Sequence, residues 1–412
     1  MGSIPTAPTR HIITISMKFF EDTIATYKEV GHQGYYTANG RNFQYRYSAY
    51  IEASKSGTDV KWNFNNEVFK TINWSKPSNV SLKQLYKERA QQLRDQYDYL
   101  ILSYSGGADS DTILHSFIDN GILLDEVWVD WPRHMMEKTN WVASTNQDHA
   151  NLASEWYYCT EPKLQQLRVQ NPKIKIHVSD CTSTGPEHEV DEPSSLTDLR
   201  NTYFYGRRRQ YMADYQRSMH DRGITSAVIL GIDKPNITII KDNICAKFVD
   251  EPIRFRTDVA AYQHSIVEFF YWTPDSPYIV VNQVNQIIQY LQKNFNEFKR
   301  LEKFLRTSEK YNERSNNLDP VVNAVCYPNW KPAFQTDKTI GHFEHQQFHS
   351  LLIPFLKSEK FARNFYHRWY EDNNIIRPDL LIEKDNRQYG TANQIITYPV
   401  MSLKKFYQGI SQ

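Results

Sequence analysis

Between residues 97 and 235 the chain passes through four short strand-like runs separated by longer stretches of helical spacing. The runs are YLILSY (99–104), LDEVWVDW (124–131), KIKIHVSD (173–180) and SAVILGID (226–233). YLILSY is nearly all apolar, the mark of a strand buried on both faces. Between the runs lie DSDTILHSFIDNG, which stops at Gly121, then NQDHANLASEWYYCTEPKLQQLRVQ, which bends near Pro162, and a long helical stretch ending at Gly223. Crossovers of that length join parallel strands, whereas antiparallel neighbours need only a tight turn. The expected core is therefore α/β: a parallel sheet in which the runs, numbered in sequence, lie in the order 3-2-1-4. Helices are expected on both faces.

The flanks read differently. Residues 1–80 form a mixed, aromatic-rich segment in which NFQYRYSAYIEA and KWNFNNEVFKTINW are predicted strands. Residues 81–259 hold the α/β domain, which opens with an amphipathic helix, SLKQLYKERAQQLRDQY, N-capped by Ser81. ITIIKDNICAKFVDE predicts a hairpin turning at Lys241-Asp242-Asn243. Residues 260–412 are mostly helical in pattern, and the dense VEFFYWTPDSP (267–277) reads as packing core or, alternatively, as the wall of a substrate pocket.

The first run of the sheet ends in Ser105-Gly106-Gly107-Ala108-Asp109-Ser110, and a helix follows at once. Open α/β sheets bind ligands at the carboxyl ends of their strands. The first N–H groups of a helix are unpaired and carry the positive end of its dipole. Two glycines let a ligand approach that backbone closely, and Ser105 and Ser110 add hydroxyls. Together these features make a phosphate cradle. Asp109 fits beside phosphates if Mg²⁺ bridges them, or else it serves to cap the helix. The fourth run ends in Asp233-Lys234-Pro235, which the topology brings near the cradle. Asp233 can bind Mg²⁺ and Lys234 can neutralise a leaving phosphate, or the pair is a polar exit before proline. Asp130 and Trp131 end the second run, and Trp131 either stacks on a base or fills the edge of the core.

Ser105-Gly106-Gly107-Ala108-Asp109-Ser110 matches SGGxDS, and over residues of about 97–235 the chain resembles the PP-loop ATP pyrophosphatases. That resemblance implies the adenine-nucleotide alpha-hydrolase-like fold, with ATP and Mg²⁺ as cofactors. It implies that residues 105–110 grip the pyrophosphate end of ATP and that Asp130 and Trp131 lie at the adenine. Asp109, Asp233 and Lys234 then take the catalytic roles, with Asp109 and Asp233 as metal ligands. In this family a substrate oxygen attacks the α-phosphate, pyrophosphate leaves, and ammonia, an amine or sulfur attacks the adenylylated intermediate.

The cysteines narrow the choice. Cys159, Cys181, Cys245 and Cys326 form no C-x-x-C pair, unlike the family's zinc-bearing nitrile synthases and iron–sulfur thiolases. No cysteine precedes Cys159, so no amino-terminal glutaminase of the asparagine-synthetase type is expected. An asparagine-synthetase-like synthase is the nearest analogue: a ligase that adenylylates a carboxylate or carbonyl oxygen and transfers ammonia or an amine to it. Its acceptor is a small molecule or nucleobase-type compound, and a separate protein can supply the nitrogen. Two alternatives stand beside it. One is an ATP-binding module without ligase chemistry. The other is a sulfur-transferring enzyme using Cys159 or Cys245.

Bulk properties bound these readings. With 48 basic and 47 acidic residues, a strong non-specific grip on nucleic acid is not expected. No apolar run is long enough to span a bilayer, and MGSIPTAPTR has no signal-type apolar core, so the reading is cytoplasmic. His342, His345 and His349 share one helical face, and Arg207, Arg208 and Arg209 lie in another helix. Both groups read as polar, solvated faces rather than as sites.

Overall fold

The computed structural model describes residues 34–43, 52–53, 56–131, 133, 143, 152–180, 206–232, 234–250, 266–307, 311–330 and 395–410. It begins with a small antiparallel sheet of β1 (Tyr35–Ala38), β2 (Arg41–Phe43) and β3 (Lys61–Asn63), in the order β2-β1-β3. β3 is shorter than predicted, and residues 44–51 of the other predicted strand lie outside the described residues. Glu52 and Ala53 are helical, and the chain turns from β3 into α1 (Asn66–Phe69). Asn65 makes that turn at φ 49°, a left-handed conformation in which asparagine is enriched. The predicted amphipathic helix forms as α2 (Leu82–Gln96), and the Ser81 hydroxyl accepts from the Gln84 N–H at 3.2 Å. Leu82, Tyr86, Arg89, Ala90 and Leu93 are buried along it, at the spacing of one helical face.

The four runs then pair side by side as β4 (Tyr99–Ser103), β5 (Glu126–Asp130), β6 (Lys175–Ser179) and β7 (Ser226–Leu230). Their order is 3-2-1-4, as the sequence leads one to expect, and every pairing is parallel. Between them run α3 (Ala108–Ile118), α4 (Leu152–Glu155), α5 (Glu161–Gln170) and α6 (Gly206–His220). The bend near Pro162 is one π-helical turn, Trp156–Thr160, joining α4 to α5. In it the Glu161 N–H reaches back five residues to the Trp156 carbonyl. Proline has no N–H to continue the α ladder, so the wider turn falls just ahead of Pro162.

After β7 comes the predicted hairpin, β8 (Asn236–Ile240) and β9 (Asn243–Val249), which turns with Lys241 at φ 52°. The rest of the chain returns to both sheets. β10 (Val267–Phe269) pairs with β7 as a fifth parallel strand. β11 (Ile395–Ser402) pairs antiparallel with β9. Between these strands lie α7 (Tyr278–Lys293), α8 (Phe295–Thr307) and α9 (Tyr311–Cys326), and α10 (Leu403–Ile410) ends the described chain. The helical pattern read beyond residue 260 thus holds for residues 278–307 and 311–326, with two strands added.

The aromatic flanks meet around Phe248 of β9. Its ring lies 4.5 Å from Trp272, 5.2 Å from Phe64, 5.3 Å from Phe69 and 5.9 Å from Tyr398, centroid to centroid. The segment VEFFYW is buried, as a packing core should be. No helix among the described residues is long and apolar enough to cross a membrane. The His342, His345 and His349 face lies outside the described residues.

A buried ion pair fastens α2 to β10. Arg89, fully buried, donates to the Glu268 carboxylate at 2.7 Å and to the Phe269 carbonyl at 3.1 Å. The Tyr97 hydroxyl donates to the other Glu268 oxygen at 2.5 Å. Burial, and then the Glu268 charge, push the Tyr97 phenol far above its ordinary range, so it remains a donor. Arg89→Met keeps the volume but leaves the Glu268 carboxylate buried without its cation. The expected loss is about 3–5 kcal/mol, read from urea denaturation. A loss below about 1 kcal/mol would show that the pair does not hold the sheet to the helix.

Candidate functional site

β4 and β7 are neighbours whose following connections leave in opposite directions, toward β5 and toward β10. The crevice at their carboxyl ends is therefore a topological switch point. The SGGADS loop borders it on one side and the exit of β7 on the other. The two come into contact at Gly231, where an added Cβ would lie 2.9 Å from the Asp109 Cβ.

Gly106 has φ +83°, and a Cβ there would come within 2.1 Å of the Thr160 hydroxyl oxygen. Both facts demand glycine. Gly107 differs. It is the N-cap of α3, with extended φ −75° and ψ 168°, which any residue adopts. Backbone conformation does not require glycine there. α3 has no side-chain cap hydrogen bond, so its first N–H groups are not closed off by the N-cap residue.

The loop's carbonyls are turned into the protein. Ser105 O accepts from the Thr160 hydroxyl at 3.0 Å, and Gly106 O accepts from the Trp330 indole N–H at 2.9 Å. Gly107 O accepts from the Asp111 N–H at 3.0 Å and the Ser110 hydroxyl at 3.2 Å. Asp109 O accepts from the Tyr271 hydroxyl at 2.8 Å. A trans peptide points its carbonyl and the next N–H in opposite directions. Holding a carbonyl inward therefore turns the following N–H away from that partner, and of these the Gly107 N–H is taken up within the loop. Ser105 and Ser110 bring their hydroxyl oxygens to 3.3 Å, and the Ser105 hydroxyl also accepts from the Gly107 N–H at 3.3 Å.

Asp109 lies between β7 and the end of α9. Burial pushes the Cys326 thiol and the Tyr327 phenol up, and the Asp109 charge adds to both shifts. Two residues on, Asp111 is buried, accepts from the Tyr104 hydroxyl at 3.0 Å and lies 3.5 Å from the Lys163 ammonium. Lys163 also lies 3.0 Å from His115 Nε2. These groups brace the first turns of α3 from the side of α5.

The remaining sequence-read residues divide. Asp130 ends β5 and accepts from the Trp128 indole N–H at 3.3 Å. Trp131 is buried, with one face stacked on Trp156 at 4.6 Å and 8° and its edge met by Tyr157. Lys234 donates to Asp319 of α9 at 3.0 Å, both groups being partly exposed. Asp233 lies outside the described residues. Among the described residues no three His, Cys, Asp or Glu side chains gather as a metal site. Thr160, Trp330 and Asp319 were not legible as site residues, because each belongs to a stretch of mostly helical pattern, and Tyr271 was legible only as part of a run that could wall a pocket. No protein-family model matches the sequence, and a search of curated proteins returns no match.

Gly106→Ala and Gly121→Ala separate backbone strain from contact. Gly121 also has positive φ, at +66°, but no atom lies within 4 Å of its added Cβ. Gly121→Ala is expected to cost about 1 kcal/mol from strain alone, and Gly106→Ala about 1–3 kcal/mol more. Chemical denaturation of the two variants reads the difference. Equal losses would show that Thr160 does not press on the loop.

Proposed function

We propose that the chain is an ATP-dependent ligase that cleaves ATP between its α and β phosphates. The observation that carries the reading is the inward-held carbonyls of Ser105, Gly106 and Asp109 at a helix start without a side-chain cap, beside the switch point. That backbone presents N–H groups to an anion, and Gly107, free of any conformational demand for glycine, leaves room for it. The motif adds the resemblance to the PP-loop pyrophosphatases, with pyrophosphate as the anion. Trp156 and the half-exposed Tyr157, packed against the buried Trp131, offer aromatic surface at the end of β5 for the adenine.

Mg²⁺ usually binds through one or two carboxylates together with substrate phosphates and waters. Asp109 fits that pattern as a protein ligand, and Asp233 is its proposed companion. When bound, the ion would neutralise charge on the phosphates. Lys234, released from Asp319, would neutralise the departing pyrophosphate. The activated acceptor is a carboxylate or carbonyl oxygen of a small molecule or nucleobase-type compound, and the nucleophile is ammonia or an amine. The sulfur-transfer reading loses one candidate, because Cys245 is buried and desolvation raises its thiol pKa. Cys159, in the π-turn, is half-buried and remains its candidate.

The test is chromatography of products from ATP labelled in its base, with a panel of carboxylate and carbonyl acceptors. AMP and pyrophosphate are expected together, and acceptor-dependent ADP and phosphate would refute the reading. Asp109→Ala is expected to remove Mg²⁺-dependent turnover while leaving the melting temperature within a few degrees. Lys234→Ala is expected to lower kcat more than it raises KM for ATP, because leaving-group charge grows toward the transition state. An effect on KM alone would place Lys234 in binding only.

A further inference from the structure

Bonds within the loop are not all that holds its shape. Its Ser105, Gly106 and Asp109 carbonyls are bonded by Thr160, Trp330 and Tyr271, which are 55, 224 and 162 residues away from them in sequence. None of the three lies in the SGGADS motif, and Tyr271 and Trp330 lie beyond the stretch that carries the resemblance. Thr160 is 1% exposed and Tyr271 fully buried, so water cannot readily replace either donor.

We propose that Thr160, Tyr271 and Trp330 are positioning residues of the phosphate loop. Each fixes one peptide plane before any anion arrives: Thr160 orients the Gly106 N–H, Trp330 orients the Gly107 N–H that bonds the Ser105 hydroxyl, and Tyr271 adds to the helical bonding of the plane ahead of Ser110. Dipoles fixed in advance need no reorganisation when charge appears, so the anion is bound more tightly than by a loop that must first order itself. Removing one donor takes a hydrogen bond from its carbonyl, and that peptide is held less firmly. The proposal rests on the reading of residues 105–110 as an anion site. It extends that reading in one respect: the grip on phosphate depends on the exits of β10 and α9, not on the motif alone.

The experiment is calorimetric titration of the full chain with pyrophosphate in the presence of Mg²⁺. The variants are Thr160→Val and Tyr271→Phe, which remove one donor each and keep the shape, and Trp330→Phe, which removes the indole N–H together with one ring. Thr160→Ser keeps the hydroxyl. Tyr215→Phe is the control for lost stability, since it takes a hydroxyl from the buried Glu126 carboxylate at the start of β5, away from the loop. Thermal melts of all five accompany the titrations, and Tyr271→Phe and Trp330→Phe decide the matter if Thr160→Val melts early. The three donor-removing variants are expected to bind pyrophosphate about tenfold more weakly than wild type, with Thr160→Ser and Tyr215→Phe within about twofold. Wild-type affinity in the three variants would overturn the positioning role and leave the anion site standing. No pyrophosphate binding by the wild-type chain would instead overturn the anion site itself, and the positioning role with it.

Discussion

The close contact between Gly106 and Thr160 sets the geometry of the carboxyl edge. The Thr160 hydroxyl occupies the space where a side chain at 106 would stand, and it holds the Ser105 carbonyl at 3.0 Å. That contact requires the π-turn, because Thr160 is its last residue. The same turn carries Trp156 onto Trp131 at the end of β5. One local irregularity, placed ahead of Pro162, thereby links the end of β5 to the loop after β4. A regular α-helix through the same residues would rotate Thr160 and Trp156 relative to one another by about 100° per residue displaced.

The second constraint is how the flanks grip the sheet. β10 is only three residues long, and a strand that short holds its place through its neighbours. Arg89 and Tyr97 fix Glu268 from one side, and the aromatic residues that follow are buried. From that anchored position Tyr271 reaches the Asp109 carbonyl. α9 packs against α7 and α8 and delivers Trp330 to Gly106 and Asp319 to Lys234. The parts of the chain outside the four-strand core thus supply contacts to the candidate site as well as stability.

The core was legible because its signals were local. YLILSY, the crossover lengths and the SGG turn each specify their own conformation, and the strand order follows from the switch in connection direction. Ser81 and the Lys241-Asp242 turn were legible for the same reason. β10 was not, since Val267–Phe269 sits in an aromatic run buried on every side and shows no alternation. β11 pairs with β9 across about 150 residues, and nothing near Ile395 names its partner. The motif marked the loop but not what shapes it. Thr160, Tyr271 and Trp330 act through single hydrogen bonds to carbonyls, and a backbone acceptor leaves no trace in sequence.

The central claim is that the N–H groups at the start of α3 hold the pyrophosphate end of ATP. A crystal structure of the chain with α,β-methylene ATP and Mg²⁺ tests it most directly. The account predicts the β and γ phosphates against the backbone of Gly106 to Asp109, the metal within reach of the Asp109 carboxylate, and the adenine toward Trp131. A nucleotide bound elsewhere, or one whose phosphates turn away from the loop toward solvent, would contradict it.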